Sequence, residues 1–251
     1  MASGKQSPRQ AMINMMYLVL TALLALNVSK EILDSFVTVN NGLETTKVTL
    51  KEKVDATYKS FAQYASENKE KYGAANAEAI KIQKMAAGLI SDIDQCKAKS
   101  IMATENWPIE KVLGKNAQGQ DTIINLKLVS AKDNQEGITH QMIGSEEANP
   151  KKDEHSAYDL RMKLEKFRDE IKKIANKDPK NPNKTLIANV DKMFNFEKEK
   201  EAGNTGVEVS WETKNFYHVP LAAGITILSK IQADVRNAEG EVVKRMMDAV
   251  E

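Results

Sequence analysis

The chain has 251 residues, of which 41% are hydrophobic and 28% are charged, enough for one or two globular domains. Its 36 Lys and Arg residues against 35 Asp and Glu residues give a net charge of +1, which argues against nucleic acid as a partner. A single cysteine excludes an internal disulfide framework and a site built from several cysteines, and the 3 histidines are scattered along the sequence. We therefore expect no cofactor and no bound metal.

One strongly apolar segment lies near the N-terminus. Residues 11–28 form a run of 18 residues without a formal charge. As a helix this run would be about 27 Å long, close to the roughly 30 Å of bilayer hydrocarbon. Lys5 and Arg9 precede it, and residues 30–34 after it carry a net charge of −1. By the positive-inside rule, this asymmetry predicts a single span with a cytoplasmic N-terminus and an exported remainder after about residue 29.

Three other interpretations of this segment are weaker. A cleaved signal peptide needs small residues at its cut site. The candidate cut sites here do not meet this need, because they contain larger residues: Leu23, Leu24, Leu26 and Asn27. A lipoprotein signal would need a cysteine near Val28, and Cys96 is far away. A buried core helix fits poorly with so long an uncharged run at the N-terminus. The sequence favours an uncleaved membrane anchor.

Local signals locate the start of this helix. Ser7 is a suitable N-cap, Pro8 suits the first helical position, and Gln10 completes a Ser-x-x-Gln capping box. No proline or glycine follows before Gly42. The pattern predicts a helix that begins at Pro8 and leaves the membrane as one continuous rod.

The apolar segment is less uniform than a simple anchor. Unpaired polar groups in hydrocarbon are unfavourable, and this segment carries several of them in or near the span. Thr21, Ala25 and Ser29 also form a ladder of small residues, which lets another helix approach closely. We therefore expect helix packing in the membrane, with these polar residues included: Asn14, Tyr17, Thr21 and Asn27.

A second set of residues places charges and a phenol along one helix face. The spacing from Arg9 through Tyr17 to Glu31 brings all three to roughly the same side. In the simpler interpretation Arg9 reaches lipid phosphates and Tyr17 packs on lipid. In the other interpretation this face contacts further membrane helices and an ion path. The residues alone leave both open.

The rest of the chain is predicted to be a helical bundle. Apolar residues recur at helical spacing in segments 33–65, 82–96, 157–174 and 221–246, the first with a possible break at Asn41-Gly42. Four long amphipathic helices with apolar seams are typical of a bundle. The last helix is expected to begin at Pro220, and residues 216–219 are expected to position its start.

Between the second and third of these helices we expect a small β-hairpin. Apolar and polar residues alternate over 124–128, a turn-rich stretch follows at 132–137, and a second apolar run covers 138–143. Further along, the pattern predicts a loop at 176–184, a short helix at 185–196 and irregular chain at 197–215. The predicted fold class is thus mainly α, with one membrane helix, a helical bundle and a small hairpin.

No catalytic motif is found in the sequence. The chain has no phosphate-binding loop, no nucleophile elbow, no H-E-x-x-H and no C-x-x-C pattern. Cys96 lies on an apolar stripe, so we expect a packed thiol rather than a nucleophile. Glu154 and His155 near a helix start are expected to be cap and surface residues rather than an acid–base pair. An enzyme is therefore not predicted.

Two long stretches resemble a known family. The opening GKQSPRQAMINMMYLVLTALLALNVSKEILDSF and the later NFYHVPLAAGITILSKIQADVRNAEGEVV are similar to the GldM family of gliding motility and type IX secretion, called PorM in non-gliding relatives. Members of that family continue into further β-rich periplasmic domains. The resemblance thus implies a division into residues 1–40, with the cytoplasmic N-terminus, membrane helix and its extension, and residues 41–251, the first periplasmic domain of a longer protein.

The resemblance also implies partners and site residues. It implies a homodimer whose membrane helices sit inside a ring of GldL-like two-helix subunits, within an inner-membrane motor driven by proton flow and joined to further components of an envelope-spanning complex. Arg9 and Tyr17 match the family's membrane residues, and Glu31 lies at the periplasmic end of the same face. In this interpretation Arg9 is the counter-charge for a carboxylate of the partner. The alternative is a passive membrane-anchored helical scaffold.

Overall fold

The computed structural model describes residues 8–26, 30–115, 121–177, 182–200, 206 and 208–250. These residues are mainly helical, with two short antiparallel hairpins, β1–β2 and β3–β4. The elements, in chain order, are α1 Pro8–Leu26, α2 Lys30–Glu67, α3 Lys69–Glu105, α4 Ile109–Val112, β1 Leu113–Lys115, β2 Asp121–Ile123, a 3-10 helix Leu126–Leu128, α5 Glu136–Met142, α6 Ala157–Ala175, α7 Lys184–Met193, β3 Glu199–Lys200, β4 Glu208–Val209, α8 Trp211–Phe216 and α9 Leu221–Asp248.

The first helix is described over Pro8–Leu26. Its predicted N-cap, Ser7, lies outside the described residues, so the capping box stays a prediction. Its predicted continuation as an unbroken rod falls on residues 27–29, which lie outside the described residues. Within the part of the chain that the structure describes, no helix has both the length and the apolar character needed to span a membrane.

Helix α2 runs without interruption through Gly42, so the break suggested at Asn41-Gly42 is wrong. Tertiary packing overrides the low helix propensity of glycine there. Helix α9 lies parallel to α2: Thr226 Oγ1 donates to the Phe36 carbonyl at 3.3 Å, and Tyr58 further along α2 reaches Glu239 near the other end of α9. These two helices form the spine of the bundle.

The apolar stripes of α3, α6 and α9 are confirmed as core. Helix α3 follows α2 after Asn68 alone, whose side chain caps it by accepting from the Lys71 amide. Ser156 caps α6 in the same way, through the Asp159 amide. The buried residues on these helices include Ile82, Ala86, Leu89, Ile93, Cys96, Leu160, Leu164, Phe167, Ile171, Leu228, Val235, Ala238 and Val242.

The predicted role of residues 216–220 in positioning the start of the last helix is also confirmed. Pro220 occupies the N-cap position of α9. The amides of Leu221 and Ala222, which have no partner inside the helix, donate to the carbonyls of Asn134 and Lys132 at 2.8 and 3.0 Å. The preceding His218 adopts a left-handed conformation with φ of 50°, and its amide donates to Thr139 Oγ1. Residues 216–220 thus fix where α9 begins.

The predicted hairpin over 124–143 is wrong in position. The hairpin β1–β2 lies earlier, with Leu113 opposite Ile123. Residues 126–128 form a 3-10 helix, and residues 136–142 form α5. The second apolar run follows the helical period, because Ile138 and Met142, four residues apart, are both buried.

The described residues of the stretch 197–215, predicted to be irregular, include two short strands and a helix. The hairpin β3–β4 pairs Glu199 with Val209, and α8 follows at Trp211, capped by Ser210. Helix α8 is only 6 residues long, too short to show a helical period in the sequence. The short helix expected at 185–196 is confirmed as α7.

Gly137 offers a test of the close contact between α5 and α3. A Cβ at this position would lie 2.8 Å from the Thr104 Cα, and relieving that clash would require the backbone of α3 to move. We expect Gly137→Ala to lower the free energy of unfolding by about 1–3 kcal/mol through overpacking. Gly88→Ala is the matched control, since a Cβ there meets nothing within 4 Å, and it should raise stability by roughly 0.5–1 kcal/mol. Urea unfolding followed by circular dichroism measures both, and equal effects of the two variants would contradict the packing argument.

Candidate functional site

Over residues 12–20, where its side chains are described, helix α1 exposes large apolar side chains on all sides. Met12 is 72% exposed and Tyr17 68% exposed, and every residue from Met15 to Leu20 is exposed. A helix that is apolar all round is normally buried in a large core or in a membrane. In this structure α1 therefore presents a surface suited to other helices or to lipid.

The predicted ion-path residues lie at two places on this N-terminal region. Arg9 and Tyr17 are exposed on α1, two turns apart and on one face. Glu31 is exposed in the first turn of α2. Residues 27–29 separate it from α1 and lie outside the described residues. The shared face of Arg9, Tyr17 and Glu31 stays a prediction.

The predicted packing residues are described in part. Asn14 is exposed on α1, and its Oδ1 accepts from Gln10 Nε2 at 3.4 Å. Thr21 and Ala25 belong to α1, but their side chains are outside the described part. Asn27 and Ser29 fall outside the described residues altogether. The ladder of small residues therefore also stays a prediction.

A buried polar cluster joins α2, α3 and α9. The Lys97 side chain, 2% exposed, donates to Glu44 Oε1 and to Gln232 Oε1, both at 2.7 Å. Lys47 pairs with the other Glu44 oxygen at 2.6 Å, and Ser229 donates to Glu44 at 3.0 Å. The cluster borders a cavity of about 370 Å³ beside the β1–β2 hairpin. Three helices are thus held together by one charged network.

Electrostatics keeps Glu44 ionised. Burial raises the pKa of this carboxyl, but the ammonium groups of Lys97 and Lys47 outweigh burial and lower the pKa to about 2. Burial is also the largest influence on Lys97 and lowers its pKa, against the opposing effect of Glu44. The carboxylate of Glu44 is therefore what permits a lysine to be charged inside the bundle.

A second buried cluster lies further along the same two helices. The Tyr58 hydroxyl donates to Glu239 Oε1 at 3.2 Å, and Arg236 pairs with Glu239 Oε2 at 2.7 Å. Burial is the main cause that raises the pKa of both Tyr58 and Glu239. Neither cluster was predicted from the sequence. The one sequence signal for these clusters is that polar residues occupy positions where the helical spacing calls for apolar ones, as at Asn40, Gln232 and Glu239.

The Cys96 thiol is packed, as predicted. It is fully buried and donates to the His155 carbonyl at 3.3 Å. Burial raises its pKa to about 12, which leaves it protonated and unreactive. His155 is not a surface residue, because its side chain is 12% exposed and lies 3.6 Å from Asp92. It is not the cap of α6 either, since that position is taken by Ser156.

Among the described residues, no group of three or more His, Cys, Asp or Glu side chains is arranged to hold a metal ion.

The described residues thus form a helical bundle joined by two polar clusters, with an apolar helix exposed near its N-terminus. The family model of the GldM N-terminal domain matches residues 31–249. The chain therefore belongs to the GldM family, whose members are components of gliding motility and type IX secretion and are not known enzymes. No curated protein sequence matched the chain.

Proposed function

We propose that this chain is a membrane-anchored component of a motor that uses the proton-motive force to drive type IX secretion and gliding. The observation that carries the proposal is α1, which exposes apolar side chains on all sides next to a domain of the GldM family. Such a helix needs an apolar environment. A lipid bilayer containing partner helices provides one.

The proposed partners are a second copy of the chain and a ring of GldL-like two-helix subunits. Arg9 supports this assignment because it is exposed in the first turn of α1, directly before the apolar run. An arginine near hydrocarbon is most stable beside a carboxylate or phosphate. In the ring that group is a partner carboxylate, and protonation of the carboxylate would break the ion pair and let the ring step. Further envelope-spanning components receive the motion in the periplasm.

The energy available matches such a step. One elementary charge that crosses 100 mV releases about 2.3 kcal/mol, comparable with the strength of an ion pair that is partly desolvated. A cation in this role must keep its proton, which favours Arg9 over a lysine. The Tyr17 hydroxyl, two turns deeper, can donate or accept a hydrogen bond along the proton route.

The proposed location is the inner membrane, with a cytoplasmic N-terminus. Residues 1–40 then form the cytoplasmic end, the span and its extension, and residues 41–251 form a periplasmic domain. The charge asymmetry around residues 11–28 supports this topology.

A labelling experiment tests the topology. In intact spheroplasts, Glu52→Cys on the exposed face of α2 should react with a membrane-impermeant maleimide, whereas Ala2→Cys should react only after detergent is added. The native Cys96 is buried and gives little background. Labelling of the Ala2→Cys protein in intact spheroplasts would overturn the topology and the periplasmic location together.

The decisive experiment for the motor is an assay of secretion and gliding on Arg9 variants, with co-purification of the partner as the control for assembly. A passive membrane-anchored scaffold would tolerate changes at Arg9 that a motor would not. Normal secretion by an Arg9→Ala protein that still binds its partner would leave the scaffold as the function.

A further inference from the structure

An aromatic pocket of about 290 Å³ lies far along the chain from α1 and outside the two buried clusters. Four separate segments form it: the loop before α6, the start of α6, the chain around β3, and the start of α8. Its size is near the lower end of ligand-binding pockets, enough for one large side chain. Its lining residues are Asn149, Pro150, Lys152, Tyr158, Arg161, Phe196, Lys198, Ser210, Trp211 and Glu212.

Three half-buried aromatic rings form the walls. Trp211 meets Phe196 edge to face, with ring centroids 5.3 Å apart, and its other neighbour is the buried Phe216 at 5.8 Å. Tyr158 stands opposite, with the Arg161 guanidinium 5.1 Å from its ring centre. Within the described part of the chain, no acceptor pairs with the indole N–H of Trp211. The walls therefore offer apolar area and one hydrogen-bond donor.

Three of the four charged residues that line the pocket are cations: Lys152, Arg161 and Lys198. The fourth, Glu212, is buried and already paired with Arg161 at 2.7 Å. Lys152 and Lys198 are exposed, and no carboxylate among the described residues pairs with either of them. Two lysines beside an aromatic pocket attract negative charge to the rim.

We propose that this pocket binds an acidic peptide segment of a partner protein, with an aromatic side chain inserted between Trp211, Phe196 and Tyr158 and carboxylates facing Lys152 and Lys198. Half-buried tryptophan, tyrosine and arginine are the residues that dominate binding energy at protein interfaces. A peptide fits better than a saccharide, because sugar rings stack on an open aromatic face and these rings meet edge to face around a socket.

Isothermal titration calorimetry of the full chain in mild detergent tests this proposal. The probe is the peptide acetyl-Glu-Asp-Phe-Asp-Glu-amide, and the control peptides replace Phe by Ala or all four acids by Lys. We expect saturable binding of the first peptide below about 1 mM, at least tenfold weaker binding of both controls, and a loss of affinity as salt rises.

Protein variants locate the site. Lys152→Glu combined with Lys198→Glu should weaken binding at least tenfold without unfolding, since both side chains are exposed. Trp211→Ala should abolish detectable binding. Trp107→Ala is the matched control, because Trp107 is half-buried like Trp211 but lies outside this pocket. The Trp107 ring also has a lysine above it: the Lys111 ammonium lies 3.4 Å from the ring centre.

The inference is overturned if the acidic peptide does not bind, if the lysine variant binds it as well as the unaltered chain, or if Trp107→Ala weakens binding as much as Trp211→Ala. Binding of chitohexaose instead of the peptide would also overturn it and would assign the pocket to a saccharide. Thermal melts monitor folding, and if Trp211→Ala is unfolded the lysine variant decides the outcome.

Discussion

Arg9→Ala is expected to abolish type IX secretion and gliding while the protein is still made, inserted and bound to its partner. Lys5 and the amino terminus preserve the positive flank that sets the topology. The partner's carboxylate would, however, lose its counter-charge inside the membrane. A buried charge left without its partner is destabilised by several kcal/mol, enough to stop a cycle in which ion pairs form and break.

Graded variants separate charge from geometry. Arg9→Lys should be tolerated only in part, because an ammonium lacks the planar donor array of a guanidinium and can lose its proton when buried. Tyr17→Phe should weaken secretion without weakening assembly, since it removes one hydroxyl and almost no volume. Cell spreading, secretion of a reporter and partner co-purification measure these effects.

Lys5→Ala provides the control, as it removes a neighbouring cation that lies four residues further from the apolar run. It should leave secretion close to normal. If Arg9→Ala cells instead move and secrete normally, Arg9 only reaches lipid phosphates, and the passive scaffold is the better description.

Glu44→Gln is expected to destabilise the domain. The substitution leaves the buried Lys97 ammonium with neutral amide oxygens as its direct partners, in place of the Glu44 carboxylate. We expect the free energy of unfolding to fall by about 1–2 kcal/mol, because the buried Lys97 ammonium loses its charged partner while solvent at the Glu44 side chain, 39% exposed, screens part of the loss. Lys51→Gln is the control, because it breaks an exposed pair with Asp55 on the same helix and should change stability by less than about 0.5 kcal/mol.

A second substitution tests the cause. Replacing Lys97 by Met in the Glu44→Gln protein removes the uncompensated charge, so the double variant should be more stable than Glu44→Gln alone. Urea unfolding of the three proteins measures this. If the double variant is no more stable than Glu44→Gln, the buried charge is not the reason for the instability.

The same pair predicts a dependence on acid. The pKa of Glu44 in the folded state, about 2, lies below its ordinary value of 4.5. The carboxylate therefore stabilises the fold fully above pH 4.5, and its contribution is lost as the pH falls from 4.5 towards 2. The stability difference between the unaltered chain and Glu44→Gln should shrink over that range.

The sequence was sufficient to predict the long helices for a physical reason. In α3, Ile82, Ala86, Leu89 and Ile93 recur every three or four residues over many turns, and only a helix buries all of them on one side. The predicted start of α1 at Pro8 also rests on a local signal, because a proline at the first position of a helix needs no distant contact. Such signals are complete within one segment.

The errors came from contacts between distant segments. Ile138 and Met142 look compatible with a strand until α5 is packed against Thr104, where Gly137 permits the close approach. Gln232 is one polar residue in an apolar stripe, and only the fold reveals that Lys97 lies opposite it. The pocket at Trp211 likewise joins four segments, none of which carries a recognisable motif.

The length of α2 has a mechanical consequence. With 38 residues, α2 extends for about 57 Å at the helical rise. An arm of that length converts each degree of tilt about its first turn into a displacement of about 1 Å at Glu67. Because α9 lies parallel to α2 and is joined to it by the contacts at Ser229 and Glu239, the lever and the body of the domain must swing together.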